Sequence, residues 1–116
     1  MRSRAKIILK DKNYATVSGY KKTIWLSTGE VIQVLVHRPY ESKTKEYWVV
    51  THIETGLQIC GSSEWYTFLA TDYYCDLSSV DSAVETARQK LNSYMASREE
   101  TFEELMNKRL NKIEED

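Results

Sequence analysis

Cysteine, proline and glycine are all scarce in this 116-residue chain, which contains two, one and four of them. Cys60 and Cys75 are too few for a disulfide scaffold or a zinc cluster, and they read as small, half-buried strand residues. Pro39 stands alone, and no Gly- or Pro-rich linker or internal repeat divides the chain, so one domain is expected. No apolar run approaches the roughly 20 residues that a membrane span needs. Met1 to Arg4 lead into a polar, alternating segment rather than a signal-peptide core, so the expectation is a cytoplasmic protein with no membrane partner. Phosphate-cradling loops are missing as well, since neither G-x-G-x-x-G nor G-x-x-x-x-G-K-[ST] occurs.

What is present is enough to fold. Hydrophobic residues make up 41% of the chain and aromatics 11%, which excludes wholesale disorder. Residues 1–77 are β-rich in pattern and 78–115 helical. Lys6 to Lys10 read as a first strand, and Tyr14 to Val17 follow the polar turn candidate Asp11-Lys12-Asn13. Thr23 to Leu26 and Val31 to Val36 are β-branched and aromatic, and Ser27-Thr28-Gly29-Glu30 between them supplies a hairpin turn. His37 to Thr44 is polar and contains Pro39, which lacks a backbone donor, so the strand should end there or continue as an edge. Tyr47 to Ile53, Glu54-Thr55-Gly56 and Leu57 to Cys60 form a second strand, turn and strand, with Trp48, Val50 and His52 on one face. Trp65 to Ala70 fits a strand slightly better than a helical turn.

From Ser79 the period changes. Val80, Ala83, Val84, Ala87, Leu91 and Tyr94 or Met95 recur every three or four residues, and Ser78 with Asp81 resembles a helix cap. Ser97 and Glu100 repeat the device before a second stripe of Phe102, Leu105, Met106, Leu110 and Ile113. Two helices, or one of roughly 35 residues, are both compatible with this pattern. A single helix would overrun a small sheet and call for self-association through its C-terminal part; a hairpin would fold the stripe back. The fold class is therefore α+β, an antiparallel sheet of four to six strands packed against a C-terminal helix or helix pair.

Catalytic chemistry finds little footing here. His37 and His52 are the only histidines, on neighbouring strands, with no evident third metal ligand. Asp76 beside Cys75 opposes thiolate formation, and Cys60 follows an apolar strand. No carboxylate pair is set apart by pattern. We expect no enzyme activity, no cofactor and no metal.

Charge is balanced overall at −1 but unevenly placed. Residues 1–22 carry Arg2, Arg4, Lys6, Lys10, Lys12, Lys21 and Lys22 against Asp11 alone, interleaved with Tyr14 and Tyr20. Such a segment can neutralise phosphates and stack on bases, or it can simply be a solvated edge strand. Residues 62–81 carry four acids and no Lys or Arg. Their aromatics, Trp65, Tyr66, Tyr73 and Tyr74 with Asp72 and Asp76, make the best candidate for gripping a basic protein partner, against the simpler alternative that they pack under the helix.

The run from Trp48 to Ile59, with its Thr55-Gly56 turn, followed by a helix containing Ala83, Ala87 and Leu91, resembles the pattern of small phage and prophage proteins. The resemblance covers about half the chain. It implies a compact accessory protein that acts by binding a host or phage protein, as small phage-encoded inhibitors of host defence, anti-CRISPR proteins among them, commonly do. The alternative is an accessory protein that binds nucleic acid through the basic N-terminal segment.

Overall fold

The computed structural model describes residues 2–9, 12–40, 46–61 and 76–115. Five strands, β1 (Arg2–Ile8), β2 (Tyr14–Trp25), β3 (Val31–His37), β4 (Val49–His52) and β5 (Gln58–Cys60), precede two helices, α1 (Val80–Met95) and α2 (Phe102–Glu115). The strands form one antiparallel sheet in sequence order, each paired with the next. The α+β expectation of a sheet of four to six strands against C-terminal helices is thus met with five strands and two helices.

Short connections make sequential pairing the natural topology. The β2–β3 hairpin closes through Leu26 and Glu30, with Gly29 at φ 95 and its N–H donated to Leu26. β3 stops at His37, two residues before Pro39, as a missing donor requires. Between β4 and β5, Gly56 takes φ 78, a conformation that favours glycine. The register shifts where Val50 faces Cys60 and Thr51 faces Gln58, which leaves Ile59 as the extra residue of a bulge.

β2 differs from expectation. The pattern suggested two short segments, but Tyr14–Trp25 is one continuous strand, and β1 spans Arg2–Ile8 rather than Lys6 to Lys10. The long strand also changes its inward face. Before Gly19 the more buried residues are Ala15 and Val17; beyond it they are Tyr20, Lys22 and Ile24. The sheet curls accordingly, and the β4–β5 turn reaches the outer edge of β1, where the Ile8 N–H donates to the Gly56 carbonyl at 3.0 Å.

Two buried layers result. On one face of the sheet Ile24, Ile32, Val34, Val36 and Val50 meet Ala83, Ala87, Leu91 and Met95 of α1 and Phe102, Leu105, Met106 and Ile113 of α2. On the other face Ala5, Ile7, Leu35 and Val49 are buried together with His37 and Thr51. β3 and β4 lie between the layers, which is why His37 and all of Val49–His52 are buried.

The helices break between Met95 and Phe102. α1 begins one residue later than the Ser78–Asp81 reading, with Ser79 and Ser82 forming a reciprocal capping box. α2 begins five residues after Ser97, because Thr101 and Glu104 form the cap: the Glu104 N–H donates to the Thr101 hydroxyl, and the Thr101 N–H to the Glu104 carboxylate. Glu30, from the β2–β3 turn, accepts the Phe102 N–H at 2.8 Å and the Glu103 N–H at 3.3 Å. The apolar stripe of α2 is buried in the chain's own core, so the overhang that would have called for a second subunit is not there.

Candidate functional site

Side chains alternate across a strand, and residues directly opposite in register share a face. β1 therefore presents Arg2, Arg4 and Lys6 on one side, opposite Tyr20, Ser18 and Thr16 of β2. Lys22 continues that face, opposite Val34. Arg2, Arg4, Lys6, Thr16 and Ser18 are exposed, while the alternate residues Ala5 and Ile7 are buried. Of the seven basic residues singled out by sequence, four are thus brought together. Lys21 lies on the opposite face, Lys12 sits exposed in the β1–β2 turn, and Lys10 lies outside the described residues. Among the described residues, no carboxylate comes within 4 Å of Arg2, Arg4, Lys6 or Lys22.

One end of this face is a row of alternating cations and rings. The Arg2 guanidinium lies 5.3 Å from the Tyr20 ring centre. Tyr20 meets Trp48 edge to face at 5.9 Å. The Arg38 guanidinium in turn lies 3.7 Å from the Trp48 ring centre and donates to the Tyr47 carbonyl at 3.1 Å. The row joins the start of β1, the middle of β2 and the segments flanking β3 and β4. Sequence reading had Tyr20 in the basic segment but missed Arg38 and Trp48, because only the curl and register of the sheet bring them together. No family model, curated protein or solved structure matches this chain. The site is therefore read from its geometry.

The proposed protein-binding residues Trp65, Tyr66, Asp72, Tyr73 and Tyr74 lie outside the described residues. Asp76 is exposed, and its carboxylate accepts both the Ser78 hydroxyl, at 2.6 Å, and the Ser78 N–H, at 3.1 Å. Those bonds hold it below the usual carboxylate range. Its carbonyl accepts the Thr86 hydroxyl, so Asp76 braces the entry to α1.

The two histidines are built into the sheet. Val34 pairs with His52 and His37 with Val49, which places the two imidazoles on opposite faces and rules out a metal shared between them. No group of three metal-ligating side chains occurs among the described residues. His37 Nδ1 lies 2.8 Å from the Arg38 carbonyl and Nε2 2.7 Å from the Thr51 hydroxyl. A carbonyl only accepts, so Nδ1 carries the proton and Nε2 takes the Thr51 hydrogen. His52 Nδ1 bonds the Thr55 hydroxyl at 2.9 Å, and its ring packs edge-on against Phe102.

Burial pushes both imidazoles below their ordinary pKa. The unfolded chain then binds more protons than the folded one once pH falls below about 6.5. Stability should accordingly be full above that pH and decline as it is lowered, with each histidine adding a slope of at most about 1.4 kcal/mol per pH unit. Urea unfolding at pH 7.5 and 5.5 checks this, and His37→Gln should flatten the profile.

A cleft of about 400 Å³ opens beside His52, lined by Lys21, Glu30, Gln33, Glu54 and Glu103 among others. No hydroxyl or thiol side chain is among its described lining residues. Cys60 ends β5 as the strand residue expected, but it is fully buried in the core rather than half-buried, and Cys75 lies outside the described residues. No described helix is long and apolar enough to cross a membrane.

Proposed function

We propose that this chain is a small accessory protein that works by binding rather than catalysis, and that its ligand is a nucleic acid held on the face of the β1–β2 hairpin that carries the exposed Arg2, Arg4 and Lys6 and the half-buried Lys22. The observation that carries this reading is the register that aligns Arg2, Arg4, Lys6 and Lys22 on one face with no carboxylate among the described residues within 4 Å. Alternate residues along β1 stand about 6.8 Å apart, so the cations form a line that can track a phosphate backbone. Thr16 and Ser18 stand exposed opposite Lys6 and Arg4 and add hydroxyls that can bond phosphate oxygens. In a chain of net charge −1, this concentration of positive charge is local.

Charges on an edge strand also discourage sheet-to-sheet pairing. That role asks nothing of Lys22, which belongs to the interior strand β2 and shares the face.

Binding of a fluorescent oligonucleotide, followed by anisotropy, tests the reading. Four phosphate contacts predict a slope of about −3 in log affinity against log salt. Reversing three charges at once, Arg2→Glu, Arg4→Glu and Lys6→Glu, should weaken binding more than about 100-fold at low salt. Unchanged affinity in that variant overturns the proposal. A stoichiometric protein partner that survives nuclease treatment of a lysate would favour the segment with Trp65, Tyr66, Asp72, Tyr73, Tyr74 and Asp76 instead.

A further inference from the structure

We infer that the cleft beside His52 binds a primary ammonium group with a neutral carbonyl on the adjoining carbon, as an amino-acid amide or the N-terminal residue of a peptide carries. The inference stands apart from the nucleic-acid reading of the basic face.

A buried imidazole makes the cleft more than a cluster of acids. His52 is 5% exposed, and its Nδ1 is engaged by the Thr55 hydroxyl at 2.9 Å. That hydroxyl already accepts the Leu57 N–H at 3.2 Å, and Nδ1 is the acceptor that its own hydrogen meets among the described residues. Nδ1 is therefore unprotonated, and the ring proton sits on Nε2. Nε2 has no hydrogen-bond partner among the described residues, yet no buried side-chain nitrogen or oxygen among them is left unpaired. The Nε2–H consequently opens into the cleft that His52 lines. Burial keeps the ring neutral near pH 7, so it donates without a charge, which suits a carbonyl oxygen.

The rim makes the opposite demand. Glu30, Glu54 and Glu103 line the cleft against Lys21, and Lys21 stands on the other sheet face from His52. The Glu30 carboxylate is taken up by the Phe102 and Glu103 N–H groups. Glu54 and Glu103 are exposed, and neither carboxylate has an ion-pair partner among the described residues. They favour a cation and oppose the approach of a carboxylate or phosphate to Nε2. Ile32, Ile53 and Phe102 supply apolar lining for the ligand's side chain, and a volume of about 400 Å³ lies in the range of small-ligand sites.

Three probes test the inference by calorimetric titration of the full chain. Leucinamide and leucyl-glycyl-glycinamide carry the group as a free molecule and as a chain end; N-acetyl-leucinamide keeps the carbonyl and loses the charge. The tighter of the two charged probes should bind at least about tenfold more strongly than the acetylated one, and which of the two it is identifies the source. In the double variant Glu54→Gln, Glu103→Gln, with circular dichroism confirming the fold, that advantage should shrink to less than about threefold. On the isotope-labelled, unaltered chain the His52 Nε2 resonance should shift as leucinamide is added, a readout that needs no variant. Binding of neither charged probe, equal affinity for the acetylated one, an undiminished advantage in the double variant or a stationary Nε2 resonance at saturation overturns the inference.

Discussion

Gly19→Ala should destabilise the protein by about 3 kcal/mol or more, at the upper end of what overpacking costs. A methyl at this position would lie 2.3 Å from the carbonyl oxygen of Val36 and 2.9 Å from the His37 Cβ. The first of these is backbone of the adjacent strand, which cannot rotate away as the end of a long side chain would. Relief requires β2 and β3 to separate where the inward face of β2 changes sides. The His37–Thr51 hydrogen bond lies beside the clash and should loosen with it. Urea unfolding measures the effect, and a loss below about 1 kcal/mol would show that the strands part there freely.

Phe102→Ala should cost about 3–5 kcal/mol, the range for truncating a buried aromatic. Phe102 is fully buried and is the first residue of α2. Its ring meets His52 at 5.2 Å and 89°, an edge-to-face geometry with a favourable quadrupole term beyond simple burial. Truncation leaves a cavity where α2 joins the sheet, so both thermal midpoint and helical signal should fall. Phe102→Leu, which keeps most of the volume, should lose less than half as much. Equal losses for the two variants would place the energy in the aromatic contact rather than in filled space.

These two positions mark where sequence legibility ends. The Ser27–Glu30 hairpin, the Thr55-Gly56 turn, the shared face of Trp48, Val50 and His52 and both helical stripes could be read directly, because each rests on a local period or a turn residue. β2 could not be read as one strand, since its buried positions shift from odd to even across Gly19 and no single face describes it. The helix boundary was misplaced for a similar reason. Ser97 and Thr101 offer the same local capping chemistry, and tertiary contacts of Phe102 and Glu30 favour the second.

The candidate site was half legible. Composition marked the basic segment, while alternation in the folded sheet sorted Arg2, Arg4, Lys6 and Lys22 from Lys21. The Arg38–Trp48 pair joins residues ten apart across a connection, with Tyr20 reaching them from another strand, and no pattern in the sequence announces it. The aromatic segment with Trp65, Tyr66, Tyr73 and Tyr74 was equally visible in composition, but it lies outside the described residues.

The carboxylate of Glu30 couples the two halves of the molecule in time as well as space. The amides at the start of α2 depend on an acceptor 72 residues earlier in the chain, so a helix short enough to be marginal alone reaches its final stability only after the β2–β3 turn exists. Synthesis proceeds from the N-terminus and delivers that turn first. α2 is then the closing element of folding, and its first turn is where local opening under native conditions, seen as faster amide exchange, should begin.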